Sequence, residues 1–306
     1  MNEPDITVLL VNWYSTFFLK HLVPNLRAKA AHPARLRFLL LDNTHGMDED
    51  IQALCESLGQ VTYAAVDTRG LTGSWGHARA LREGLERTST EYLLTIDPDV
   101  HIFAEGWDQH LVEAVQQSGA IAAGAPYPRW KLGKYHDFPS PVLALLHTDS
   151  LRRLEADWRP FDRGLIRNAY NWTGRQVVRL GAINSRQRCI DHPGLLRAGQ
   201  ALEGLLGVVG PDTGYRIAAA ARSRGERALV FDDVYANQPS VQGDEHQALR
   251  ELARLFELYA WEGTPFMTHM GKTKYFLYET EASYDDARWL SCIAAYEQVR
   301  SRACVS

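Results

Sequence analysis

Ile6 to Val11 is apolar at every position but Thr7, and nothing else in this sequence constrains the fold as strongly. A strand whose apolar residues fall on both faces is buried on both faces. Leu36 to Leu41, Val61 to Val66 and Tyr92 to Ile96 follow as three more buried strands. Helix-period stretches lie between them. The first starts at Ser15, carries Phe18, Leu22 and Leu26, and is expected to be interrupted by Pro24. Asp48 to Leu58 and Thr72 to Arg87 supply the next two. Buried strands alternating with helices predict an α/β fold, a mostly parallel central sheet with helices on both faces.

Ligands of such sheets sit beyond the carboxyl ends of the strands. Asp42, Asp67 and Asp97 all fall at or just past such ends. A single acid there is commonplace, because it can cap the next helix; three along one rim fit a polar ligand better. Asp97-Pro98-Asp99 is the most informative piece. Two carboxylates one residue apart offer the hard oxygen ligands that suit Mg²⁺ or Mn²⁺, although the same tripeptide also opens ordinary turns.

The second half is less regular. Helices are expected at Trp107 to Val115, Asp212 to Arg222, Asp244 to Trp261 and Ala287 to Val299, and a short one from Ser150 to Glu155. Strands are expected at Ala120 to Ala125, Pro141 to His147 and Ala228 to Phe231, and residues 157–208 carry little assignable pattern. With 33 basic against 37 acidic residues the net charge is −4, which argues against a nucleic-acid partner. The four cysteines are far apart without a CxxC pair, so they read as reduced thiols. No leader-like segment opens the chain and no apolar run is long enough to span a membrane. The expected setting is cytoplasmic, with peripheral attachment at a membrane left open.

In order along the chain, several pieces resemble the family-2-type nucleotide-sugar glycosyltransferases of GT-A fold. Thr7 to Tyr14 resembles the family's first strand and Leu40-Leu41-Asp42-Asn43 its second. Gly70 to Leu85 resembles its glycine-containing helix entry, and Ile96 to Val100 followed by Gly106-Trp107 its Asp-x-Asp segment. Gly210-Pro211-Asp212-Thr213-Gly214-Tyr215-Arg216 resembles the acidic segment before the base-bearing helix. The likeness is good over roughly the first 125 residues and patchy beyond. Thr44 to Met47 and Ser74 to Ala78 depart from the family's usual Ser-Gly-Ser and Asn-rich runs, which affects details of nucleotide contact.

The resemblance implies a single GT-A-like domain over residues 1–306, with 1–103 holding the nucleotide-sugar and 104–306 the acceptor and the base. It implies that Val11, Asn12, Trp13 and Asp42 hold the nucleobase, Asp42 accepting a ring N–H. Asp97 would face ribose and metal, Asp99 would ligate a divalent metal (Mn²⁺ or Mg²⁺), and Asp212 would be the general base. Arg69 and Trp75 are further nucleotide-site candidates. A late histidine completes the metal site in many GT-A enzymes, and His269 stands in a strand-like piece with Lys272 and Lys274 just beyond, placed to meet a diphosphate. The loop from Tyr127 through Arg129 and Trp130 to His136 mixes rings and cations, which suits an acceptor site or lid. Each position has a plainer alternative: Trp13 as core, Arg69 as a solvated cation, Asp212 as a helix cap, His269 as a structural histidine, the loop as exposed surface.

The implied activity is a metal-dependent, inverting transfer of a sugar from a nucleoside diphosphate sugar, UDP-linked by preference. The acceptor is open among saccharides, small molecules, peptides and lipid-linked species. A sugar-nucleotide-forming nucleotidyltransferase would carry a Gly-rich loop with Arg after the first strand, where this chain has Asn12-Trp13-Tyr14-Ser15. A non-catalytic binding protein would not need Asp97, Asp99 and Asp212 together.

Overall fold

Strand β1 (Ile6–Asn12) is buried at every position. Its alternation divides it between two cores, with Ile6, Val8 and Leu10 in one and Leu9 and Val11 in the other. The computed structural model describes residues 5–71, 73–161, 164–179, 186–243, 246–271 and 286–303. After β1 come α1 (Thr16–Lys29), β2 (Leu36–Asp42), α2 (Asp50–Leu58), β3 (Val61–Ala65), α3 (Ser74–Arg87) and β4 (Tyr92–Ile96). Next are β5 (Val100–Ile102), α4 (Trp107–Ser118), β6 (Ala122–Gly124), β7 (Leu143–His147) and α5 (Thr148–Arg153). The stretch left unassigned by the sequence holds α6 (Leu165–Val178), α7 (Arg186–Asp191) and α8 (Pro193–Leu206). The chain goes on through α9 (Tyr215–Ser223), β8 (Ala228–Val230), β9 (Asp232–Val234), α10 (Gln247–Leu255), β10 (Glu257–Trp261), β11 (Thr264–His269) and α11 (Asp286–Ala303).

The main sheet has seven strands in the order β3-β2-β1-β4-β7-β6-β8. β7 alone runs against the others, being antiparallel to both β4 and β6. Leu22 of α1, Leu54 of α2 and Trp107 and Leu111 of α4 cover one face. Leu81 and Leu85 of α3, Leu151 of α5 and Ile217 of α9 cover the other. This is the expected mixed α/β arrangement, a mostly parallel sheet with helices on both faces. Gly84 lets α3 lie close on β1, since a Cβ there would meet Leu9 Cδ2 at 2.3 Å.

A second, four-stranded sheet of order β5-β11-β10-β9 was not foreseen. Leu252 of α10 and Trp289 and Ile293 of α11 join its core. Three expectations are corrected. Pro24 does not interrupt α1, because burial of Leu22, Val23 and Leu26 outweighs the one hydrogen bond lost. The helix expected over Asp244 to Trp261 ends at Leu255, where Phe256 turns extended and β10 begins. There Leu258, Tyr259 and Ala260 are all buried, and Glu262 and Gly263, both at positive φ, make the tight turn to β11. Asp212 lies three residues before α9, whose cap position is Gly214, so it is not the helix cap.

Candidate active site

Two strand registers bring the acidic corner together. β5 pairs with β11 so that Val100 faces His269, and β10 pairs with β11 so that Glu257 faces His269. The loop after β4 is pinned by Asp97 N donating to Val142 O and by Met270 N donating to Asp99 O. His269 Nε2 then lies 3.2 Å from Asp99 Oδ1 and 3.8 Å from Asp97 Oδ2. One ligand atom from each of the three lies within 4.8 Å of the others. Asp99 is buried, and its Oδ2 has no hydrogen-bond partner among the described residues. An orphaned buried carboxylate oxygen beside a second carboxylate and an imidazole nitrogen fits a divalent cation.

Glu257 stands behind the histidine. Its carboxylate accepts from His269 Nδ1 at 2.9 Å and Tyr259 Oη at 3.0 Å, and pairs with Lys131 Nζ at 2.6 Å. A carboxylate on the far ring nitrogen fixes which nitrogen faces the metal corner. Burial works against the charge on Glu257, but Lys131 and His269 outweigh it and hold its pKa well below the carboxylate range. Burial also opposes charge on His269, yet Asp99 and Glu257 push its pKa up to about 10. For Asp97 burial prevails over His77 and His269 and raises the pKa. For Asp99 the nearby His269 prevails over burial and lowers it.

Asp212 lies in a second polar cluster. Its Oδ2 pairs with Lys134 Nζ at 2.6 Å and its Oδ1 accepts from Thr213 N at 2.9 Å. Burial would raise its pKa, but Lys134 and a hydrogen bond from Ser74 outweigh it, so the carboxylate is held ionised. Lys134 and Ser74, both missed by the sequence reading, are thus part of the cluster.

The nucleotide rim differs from expectation in several places. Asp42 is fully buried; Asn12 Nδ2, Thr44 N, Thr44 Oγ1 and Tyr63 Oη all donate to its carboxylate. It ties the ends of β1 and β2 together rather than standing open to a nucleobase. Asn12 is also fully buried, bridging Asp42, Asp48 Oδ2 and the backbone of Ser15. Val11 puts its side chain into the core. Arg69 is exposed and forked onto Asp67 two residues earlier, at 2.7 and 2.9 Å, so it is a solvated cation. Trp13 is 42% exposed and Tyr14 40%, with their rings in edge contact at 5.5 Å. That excludes the core reading of Trp13. Trp75 is half-buried against Phe161.

The loop from Tyr127 to His136 is not open surface. Tyr127, Leu132 and Tyr135 are buried. His136 is engaged on both sides, by Tyr127 O at 2.7 Å and Glu203 Oε1 at 3.2 Å, which makes it a structural residue. Arg129 is exposed and its backbone N donates to Asp233 Oδ2 at 2.7 Å, while Trp130 is half-buried with Lys131 over its ring. The loop's cations serve the two clusters instead: Lys131 reaches Glu257 and Lys134 reaches Asp212. Lys272 and Lys274 lie outside the described residues.

The mostly parallel sheet thus carries Asp-x-Asp just past β4, His269 of the second sheet meets it there, and a separate ionised carboxylate stands at Asp212. Residues 26–171 match the family described as glycosyl transferase family 2, which is consistent with a family-2-type glycosyltransferase. No curated protein matches it in sequence. Among solved structures it is similar to the mannosyltransferase PcManGT from Pyrobaculum calidifontis in complex with GDP-Man and Mn²⁺. That likeness has a TM-score of 0.44 and 15% identity, over 74% of this chain and 76% of that one. It is also similar to S. aureus TarS 1–349, with a TM-score of 0.40 and 10% identity over 75% of this chain and 94% of that one. The same TarS fragment in complex with UDP aligns over 50% of each chain, with a TM-score of 0.39 and 13% identity. Among the described residues no helix is long and apolar enough to cross a membrane.

Proposed function

We propose that this chain transfers a sugar from a nucleoside diphosphate sugar to an acceptor hydroxyl with inversion, and that it depends on a divalent metal. The observation that carries the metal is the Asp97, Asp99 and His269 corner with its unpartnered Asp99 oxygen. When bound there, Mn²⁺ or Mg²⁺ supplies positive charge against the donor diphosphate. Asp97, Asp99 and His269 hold it, and Glu257 orients His269 through Nδ1.

Asp212, ionised and paired with Lys134, accepts the proton of the acceptor hydroxyl. The acceptor oxygen then bonds to the anomeric carbon. The bond from that carbon to the diphosphate oxygen breaks, and the nucleoside diphosphate leaves with the electron pair. Trp13, exposed beside the end of β1, stands next to the nucleobase by the family resemblance, while Asp42 and Asn12 hold the strand ends in place. UDP as the donor's nucleotide rests on the family resemblance, as does inversion. Residues 1–103 form the donor half and 104–306 carry the acceptor and the base, although His269 crosses that division to complete the metal corner.

The test is nucleoside diphosphate release from a panel of UDP, GDP and dTDP sugars, with Mn²⁺, Mg²⁺ or excess chelator. Turnover is expected with metal only, and Asp99→Ala should abolish metal-dependent donor binding while the fold survives. Full activity in chelator, or a folded Asp99→Ala protein that turns over normally, overturns the metal assignment.

A further inference from the structure

Helix α6 turns apolar side chains outward. Its buried positions, Asn171, Gly174 and Val178, are spaced by three and four and define its inner face. Away from them stand Leu165 at 87% exposure, Ile166 at 89% and Trp172 at 60%. The helix holds no acidic residue, and its outward positions Leu165, Ile166, Ala169, Trp172 and Thr173 carry no charge. A helix facing water places polar residues there, so this face is built to be covered. The end of α8 joins it. Tyr170 Oη donates to Leu206 O at 3.1 Å, which sets Leu205, 83% exposed, beside the patch.

Charge indicates what covers it. Arg167 on α6 and Arg197 on α8 are exposed, and neither is ion-paired among the described residues. Arg167 lies over the Tyr170 ring, 5.3 Å from its centroid. Residues 164–206 contain two acids, Asp191 and Glu203. Asp191 is on α7 and is held by Gln187 Nε2 at 2.8 Å. Glu203 turns inward, accepting from Gly133 N and meeting His136 Nε2. The patch therefore combines apolar side chains with arginine and no acid, in a chain whose net charge is −4. Two copies of the chain meeting here across a twofold axis would bring the arginines of one toward those of the other. Hydrocarbon behind an anionic surface takes in exposed Leu and Ile and attracts the arginines.

We infer that the α6–α8 face docks on an anionic lipid bilayer. Leu165, Ile166 and Leu205 enter the acyl boundary, Trp172 lies at headgroup level, and Arg167 and Arg197 pair with lipid phosphate and carboxylate. With 14 residues, α6 lies along the surface and does not cross it. The docked face borders the site, since Glu203 of α8 holds Gly133, which stands between Lys131 and Lys134. The inference goes beyond the sugar-transfer reading and does not depend on it.

Co-sedimentation of the full chain with vesicles tests it, in excess chelator so that no metal bridges protein and lipid. Vesicles of phosphatidylcholine alone are compared with an equimolar mixture of phosphatidylcholine and phosphatidylserine. The mixed vesicles should bind at least about tenfold more tightly, and raised salt should remove most of the difference. Arg167→Gln with Arg197→Gln should weaken binding to the mixed vesicles by about fivefold for each arginine. Leu165→Ser with Ile166→Ser should weaken binding to both kinds by at least about tenfold. All four positions are exposed, and thermal melting checks that both variants keep the fold. No binding to the mixed vesicles, equal binding to both kinds, or unchanged binding by either folded variant overturns the inference. So does self-association without lipid, seen by sedimentation velocity, that Leu165→Ser with Ile166→Ser abolishes; the face would then belong to a second copy. Vesicle binding is read without donor, acceptor or turnover, so its failure leaves the glycosyltransferase reading standing, and failure of turnover leaves the docking standing.

Discussion

Glu257 gives the sharpest test of how the metal corner is built. Its carboxylate holds three groups at once: Lys131 on Oε1, and His269 Nδ1 and Tyr259 Oη on Oε2. In Glu257→Gln one oxygen becomes an NH₂ group. If the NH₂ faces His269, it meets a ring N–H and a tyrosine O–H, donor against donor. The histidine then carries its proton on Nε2, the nitrogen 3.2 Å from Asp99, and that tautomer cannot ligate a metal. If the NH₂ faces Lys131, the ammonium loses its acceptor and the histidine loses its negative partner. Either way Mn²⁺ affinity should fall by roughly 10- to 100-fold, the range for loss of a carboxylate behind a ligating histidine. Stability should fall by about 1–3 kcal/mol, less than for a fully buried pair because the Lys131 side chain keeps 23% exposure. Mn²⁺ titration by electron paramagnetic resonance reads the affinity, and thermal melting reads the fold. Lys131→Met is the companion: it removes the ion pair but keeps the Glu257–His269 bond, so it should spare the affinity. A stable Glu257→Gln protein with wild-type Mn²⁺ affinity would refute the orienting role, as would equal losses in the two variants.

Three further outcomes are expected. Burial pushes the Asp233 carboxyl from 3.8 up to about 6. The native state thus keeps a proton that the unfolded chain has already lost between those values, and stability falls as the pH rises through that window. Asp233→Asn should raise the melting temperature at pH 7.5, by at most on the order of 2–3 kcal/mol of stability, and not at pH 4; an equal effect at both would exclude the titration. Gly84→Ala should cost about 1–3 kcal/mol in denaturant unfolding, because the new methyl meets buried Leu9, and an unchanged midpoint would show that α3 can move off β1. Asp212→Asn keeps the oxygen that Thr213 N donates to but cannot take a proton, so turnover should drop roughly 10²- to 10⁴-fold with donor affinity kept; near-normal turnover would move the base elsewhere, with Asp191 and Asp233 next.

The donor half was legible because its signals are local. A short strand whose apolar residues fall on both faces reads as an inner strand, so β1, β2 and β4 and the acids after them were readable directly. Glu257 was not, because the helical spacing of Leu249, Leu252 and Ala253 runs on into Phe256 and hides the change to a strand. Gly263 was the available signal: a glycine between two apolar runs marks a hairpin, and that hairpin sets Glu257 opposite His269. Helices α6 and α8 were illegible for a different reason. Leu165, Ile166 and Leu205 are more than 80% exposed, so their apolar residues do not trace one buried stripe. At the rim, sequence showed the charges but not who takes them. Arg69 is claimed by Asp67 two residues away, and Asp42 by Asn12 from another strand.

One helix joins the parts of the site that the sequence left separate. The first turn of α3 carries Ser74, which bonds Asp212, then Trp75, which lines an open cavity, then His77, which acts electrostatically on Asp97. Farther along, Arg79 and Arg82 continue the cavity wall, and Gly84 seats the helix against Leu9 of β1. β1 is also hydrogen-bonded to β4, which delivers Asp97 and Asp99. The packing of α3 on β1 thus helps set the proposed base against the acidic corner, together with the 127–136 loop, whose Lys131 and Lys134 reach both clusters. Through Ser74 and His77 this helix belongs to the proposed catalytic geometry. It also gives the Gly84→Ala variant a second consequence. If α3 is displaced by the added methyl, Ser74 and His77 shift together, and turnover should fall further than the loss of folded protein accounts for.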